Sequence, residues 1–196
     1  MIGYISGTIQ AIADKYVIVN VNGVGYRVVI PEKIRNSLSE IGQEVKLYTH
    51  FTMNPRDGST ELFGFDSPEE LNFFELMTTV SGIGPKTAQG ILSSANLQDL
   101  QLSIVSKDDK YLSKVSGVGT KTAQRLILEL KNKIMTADLG GKTAGDLSSE
   151  GEAMDALESL GYSKYQAREA LKNMDKKITK TEDKITEALK LLGTKK

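Results

Sequence analysis

The chain has no cysteine and no tryptophan, and only one histidine and four prolines in 196 residues. Without cysteine there can be no disulfide, thiolate nucleophile, cysteine-held iron–sulfur cluster or common zinc cluster, and a reducing, intracellular setting is the simplest expectation. A lone histidine, His50, cannot build a histidine metal site, so neither a metal nor any other cofactor is expected. Net charge is missing too. Lys and Arg total 25 and Asp and Glu total 25, so no global field draws in a polyanion, and any nucleic-acid binding has to come from local geometry. No stretch approaches the roughly 18 consecutive apolar residues of a membrane span. Met1-Ile2-Gly3-Tyr4 also lacks the basic-then-apolar pattern of a secretion signal. A soluble, cytoplasmic chain without a membrane partner is expected.

What the chain does have changes character along its length. Residues 1–63 read as strands: β-branched Tyr16-Val17-Ile18-Val19-Asn20-Val21, the tight-turn pair Asn22-Gly23, the answering run Gly25 to Pro31, and further runs at Val45 to Phe51 and Glu61 to Phe65. Short strands with glycine-rich turns predict a small closed or nearly closed barrel, since closure removes exposed edges. From residue 64 to 135 the period is helical, opening on Ser67-Pro68-Glu69-Glu70, a helix cap followed by proline and first-turn acids. Residues 136–149 are small, polar and glycine-rich and read as a flexible linker. Residues 150–196 hold three helical patterns, separated by Gly161 and the capping residues Ser163 and Thr181, and predict a small three-helix bundle whose nearly balanced charge suits a protein partner better than DNA.

The strongest signal is a repeat. Val80-Ser81-Gly82-Ile83-Gly84-Pro85-Lys86-Thr87-Ala88-Gln89 returns 35 residues later as Val115-Ser116-Gly117-Val118-Gly119-Thr120-Lys121-Thr122-Ala123-Gln124, with eight of ten positions identical. Each copy reads as a helix-hairpin-helix. Both glycines are expected to make positive φ available to the turn, Ile83 or Val118 to tuck inward, and the outgoing helix to begin near Pro85 or Thr120. Its unpaired first-turn N–H groups and helix dipole suit a phosphate that glycine allows close. Lys86 and Lys121 stand beside that spot, with Thr87, Thr122 and Arg125 as further donors. Such contacts hold backbone and read no bases. An isolated Gly-x-Gly before a helix is as often an ordinary turn. A dinucleotide site would need a preceding strand and a third glycine, and both copies lack these. Duplication with lysine kept in place favours DNA, and a paired hairpin is expected to grip both strands of one duplex without sequence preference.

Taken together, Met1-Ile2-Gly3 with Gly7, Gly23-Val24-Gly25-Tyr26, Thr49-His50, Leu62-Phe63-Gly64-Phe65, Gly82-Ile83-Gly84-Pro85-Lys86, and Gly117-Val118-Gly119 with Lys121-Thr122-Ala123, Arg125 and Leu126 resemble the RuvA family, which recognises Holliday junctions. Leu160-Gly161-Tyr162 with Ala167 and Ala170 resembles that family's third domain. The resemblance implies a multidomain α+β chain: an oligonucleotide-binding (OB-fold) type barrel, an all-α double helix-hairpin-helix domain and a C-terminal three-helix, UBA-like bundle. It implies a homotetrameric platform, or an octamer of two tetramers, holding four-way junction DNA as an open square. It also implies a bundle that recruits and stimulates the hexameric RuvB ATPase for branch migration in recombination and repair, the RuvC resolvase joining the same junction. An acidic pin at the platform centre is implied in the loop after His50's strand. Here Asp57, beside Arg56, is that loop's single acid, so the pin is expected to be weak or shared with Glu61. Leu160, Tyr162 and Leu189 are candidate motor contacts, each equally placed to be bundle core.

For His50 a structural role is expected, since no acid or nucleophile stands near it in sequence. Two other functions compete. One is a helix-hairpin-helix DNA glycosylase or lyase that uses Lys121, with Asp138 lying seventeen residues beyond it. The glycine-rich surroundings of Asp138 and the short helical block argue against it. The other is a duplex-binding adaptor indifferent to junctions.

Overall fold

Alternating apolar side chains make the N-terminal strands one-sided. The computed structural model describes residues 2–38, 40–54, 57–136, 144–175 and 177–193. Strands β1 (Tyr4–Ile12), β2 (Tyr16–Val21), β3 (Val24–Val29), β4 (Glu44–Met53) and β5 (Thr60–Phe65) close in the order β1-β2-β3-β5-β4, and a short helix α1 (Glu32–Ser37) precedes β4. Val17, Val19, Val28 and Leu47 point inward and are fully buried. The Asn22-Gly23 turn has positive φ at both residues, as a two-residue hairpin requires. All pairings are antiparallel except β3 with β5, which is parallel. This is the OB-type barrel. Gly7 permits its closest strand approach: a Cβ there would lie 2.1 Å from the Asn20 carbonyl oxygen.

The chain divides into two compact units, Met1–Asn96 and Leu97–Lys196. In the first, α2 (Pro68–Thr78) and α3 (Pro85–Ser94) follow the barrel. The hydroxyl of Ser67 accepts the Glu70 N–H, completing the expected cap. Phe74 of α2 packs its ring 5.3 Å from Phe63 and 4.8 Å from Phe65, centroid to centroid, and so fastens α2 to the barrel.

The second unit holds α4 (Leu97–Val105), α5 (Asp109–Ser116), α6 (Thr120–Thr136), α7 (Ala144–Ser159), α8 (Lys164–Lys172) and α9 (Thr181–Gly193). The last three form the expected bundle around Ala153, Met154, Leu157, Ala167 and Ala188. Ser163 and Gln166 form a reciprocal capping box at the start of α8. The linker expected at 136–149 needs correction. Thr136 ends α6, and α7 already begins at Ala144, because Leu147 finds a buried place and draws the small polar residues around it into helix. Residues 137–143, including Asp138, lie outside the described residues. Among the described residues, no helix is long and apolar enough to cross a membrane.

Candidate nucleic-acid interface

The first hairpin is built from the end of α2. Val80 N–H donates to the Met77 carbonyl and Ile83 N–H to the Val80 carbonyl, both at 3.0 Å, while Gly82 takes φ of 88°. Val80 and Ile83 are buried, so the tip is pinned from inside as expected. Gly84 caps α3, Pro85 takes the first helical position, and Ala88 N–H donates to the Gly84 carbonyl at 2.9 Å. In the second copy, Gly117 ends α5 in the left-handed region at φ of 65°, and Ala123 N–H donates to the Gly119 carbonyl at 3.0 Å. Val118 is half-buried.

Only the first glycine of each pair uses a left-handed conformation. Gly84 sits at φ −85° and ψ 171°, open to any residue, and Gly119 is likewise outside the positive-φ range. That corrects the expectation that both glycines serve the turn. A Cβ added at Gly84 or Gly119 would meet nothing within 4 Å. Neither backbone strain nor internal packing therefore demands glycine there. What the missing side chain leaves is an open approach to the helix starts, whose first-turn N–H groups lack the regular carbonyl four residues back; Thr122 N–H meets the Gly119 carbonyl at 2.9 Å instead. Neither α3 nor α6 carries an acid in its first turn to oppose an anion. Lys86, Lys121 and Arg125 are exposed around these helix starts, and Thr87 and Thr122 are half-buried.

The two copies differ in what surrounds the lysine. Lys86 Nζ lies 3.2 Å from Glu61 Oε1, an acid brought over by β5. Between them opens a cleft of about 340 Å³ lined by Thr52, Asn54, Glu61, Gly84 and Lys86 among others. Among the described residues, no acid pairs with Lys121. Asp57 is exposed and accepts from both the backbone N–H and the hydroxyl of Ser59, at 2.9 and 2.7 Å. The Ser59 hydroxyl, followed by its N–H, holds the carboxyl below the ordinary aspartate range, so Asp57 stays charged. Arg56, its expected neighbour, lies outside the described residues.

Family models match in the same order as these elements: "RuvA N terminal domain" over residues 1–64, "SAM-like Helix-hairpin-helix tandem" over 74–132, and "RuvA, C-terminal domain" over 148–193. A protein of Acetivibrio thermocellus is 40% identical over 202 residues, covering 98% of this chain and 99% of the relative. One of Halothermothrix orenii is 41% identical over 198 residues, covering 100% and 99%. The chain belongs to the RuvA family. Both relatives, and a third of Herpetosiphon aurantiacus at 39% identity over 98% of this chain and 99% of its own length, are named Holliday junction branch migration complex subunit RuvA.

In this RuvA-family chain the three candidate motor contacts separate by exposure. Leu160 is 60% exposed at the α7–α8 turn, whereas Tyr162 and Leu189 are half-buried against the bundle core. Tyr165 is 70% exposed one turn away, and a tyrosine beside a cap carries no pattern by which sequence could single it out. His50 does have an acid partner: its Nδ1 lies 2.9 Å from Glu75 Oε1, and its ring meets Phe74 edge-on at 5.4 Å. Glu75 is 25 residues away on α2, so only the fold could reveal the pairing. Among the described residues, no cluster of three or more acids or histidines is arranged to hold a metal.

Proposed function

We propose that this chain binds four-way Holliday junction DNA through backbone phosphates at Gly84–Thr87 and Gly119–Thr122 and recruits a RuvB-type ATPase for branch migration. The supporting observation is that each copy presents a helix with no acid in its own first turn, behind a glycine with no conformational reason to be glycine. Lys86, Lys121 and Arg125 add point charges to the N–H groups, which positions duplex arms without reading sequence. Cyclic assembly into a tetramer, or two stacked tetramers, would match four such grips to four arms. Asp57 and Glu61 supply negative charge near the first grip and serve as the junction-centre pin, with Glu61 partly neutralised by Lys86. The chain supplies no catalytic group. ATP hydrolysis belongs to the motor and strand cleavage to a RuvC-type resolvase. Exposed Leu160 is the first candidate for the motor contact.

Gel shifts of a synthetic four-way junction against linear duplex at matched salt test junction preference. At least tenfold tighter binding to the junction is expected on the scale of specific over non-specific recognition, and equal affinities would reduce the chain to a duplex adaptor. Leu160→Ala should leave junction binding intact while lowering stimulation of the motor's ATPase. A borohydride-trapped adduct on abasic DNA, lost in Lys121→Ala, would instead establish lyase chemistry.

A further inference from the structure

The cleft beside the first hairpin has a wall that the barrel itself does not need. Past Tyr48 strand β4 pairs with β5 alone, and β5 meets β3 only at Leu62 and Phe63, so the pairs Thr52 with Glu61 and Met53 with Thr60 form a two-stranded arm standing out from the barrel. Its closing loop is tied by backbone: Asn54 N–H donates to the Ser59 carbonyl at 2.8 Å, and Gly58 N–H to the Asn54 carbonyl at 2.9 Å. Arm and hairpin belong to one compact unit. The cleft between them, about 340 Å³, has the volume of a small-ligand site. Its lining suits a flat heteroaromatic ring. Met53 and Pro85 offer apolar contact, while Thr52, Asn54 and Glu61 bring a hydroxyl, an amide and a carboxylate. Met53 is 61% exposed, and a thioether makes favourable contacts with aromatic rings.

The ion pair at this cleft, Lys86 Nζ to Glu61 Oε1 at 3.2 Å, restricts what else a ligand must carry. Lys86 is exposed, so the pair is weak and opens readily. A phosphate that takes the Lys86 ammonium leaves the Glu61 carboxylate without its cation and facing a second anion, and like charges at such range repel. A well-matched ligand therefore brings an N–H donor for Glu61 together with its phosphate. A nucleotide has both, the donor lying on the pairing edge of its base. Within a duplex that edge is already committed to the opposite base, and only an unpaired base can present it to a protein. Every base has at least one N–H there, so no particular base is selected.

We propose that this cleft receives one unpaired nucleotide of the bound DNA. Its phosphate meets Lys86, its pairing edge meets Glu61 with Thr52 and Asn54 alongside, and its ring lies against Met53 and Pro85. The inference rests on the junction binding proposed above and adds to it a pocket for a base, where the hairpins hold only backbone. One nucleotide thereby satisfies both halves of the ion pair that it separates.

The test compares, on the full chain by gel shift, four-way junctions carrying a single unpaired base beside the crossover with the same junctions carrying an abasic residue in its place. The unpaired base should bind about tenfold or more tighter, the worth of one hydrogen bond to a charged group. Thr52→Phe, which fills the cleft, and Glu61→Ala, which removes the acceptor, should each bring the ratio of the two affinities close to one. Because each ratio is taken within one variant, changes in the backbone grip cancel. Equal binding of both junctions by the parent chain, or a ratio that neither substitution lowers, would overturn the pocket while leaving junction binding intact. If neither junction bound tighter than linear duplex, the junction reading would fall, and the pocket with it.

Discussion

Replacing Gly84 by alanine separates a phosphate seat from an ordinary turn, because the two readings demand opposite outcomes. At φ −85° and ψ 171°, with nothing within 4 Å of the new Cβ, alanine fits without strain. Narrowing the unfolded chain's freedom should then stabilise the protein by about 0.4–1 kcal/mol. On the proposed function, the same methyl group would come between the phosphate and the first-turn N–H groups of α3. Loss of their charge-assisted hydrogen bonds to a phosphate costs about 1.5–3 kcal/mol, or roughly ten- to a hundredfold in affinity. Gly82→Ala is the control. At φ of 88° it forces a side chain into the left-handed region, which costs about 1–2 kcal/mol of stability. Thermal melts and four-way-junction gel shifts on the three proteins are sufficient. A Gly84→Ala protein that melts no lower than the parent and binds the junction just as tightly would refute the phosphate seat.

Lys121→Gln and Lys86→Gln should each flatten the slope of log affinity against log salt by about 0.9 for every phosphate left unneutralised, with the same effect on arms of unrelated sequence; binding titrations across salt measure both. Glu61→Gln releases Lys86 from a largely exposed pair worth about 1 kcal/mol or less, so binding should tighten by roughly fivefold at most, and weaker binding would show that Glu61 positions the lysine. Ser59→Ala removes the main group that lowers the Asp57 pKa, so an NMR titration should show the carboxyl moving up towards the ordinary aspartate range. The sign follows from linkage: a depressed carboxylate pKa favours the folded loop above the unfolded pKa, and that preference is lost as pH falls through the folded value.

Both hairpins were legible in the chain because positive φ and tight helix-to-helix turns leave glycine a strong local mark, and Gly82 and Gly117 carry it. The barrel was legible as strands, but the parallel β3–β5 pairing was not, since it joins segments separated by α1 and β4. Gly7 stands out in sequence only as part of a resemblance; its reason, a neighbouring backbone carbonyl, is tertiary. Lys86 and Glu61 are both visible in sequence, for different tasks, and their ion pair depends on where β5 delivers the acid. The start of α7 is hidden because Thr143 to Ser149 is poor in apolar residues, and one buried leucine, Leu147, outweighs that composition.

The pairing of Lys86 with Glu61 makes the two grips unequal in readiness, although their sequences are nearly the same. A polyanion reaching the second copy meets Lys121, with which no acid among the described residues pairs; at the first it must displace a carboxylate. On the proposed function, loading is therefore ordered, with the second copy catching an arm and the first completing the hold. Raising the salt should undo these steps in reverse, and release is then graded where two equivalent grips would let go together.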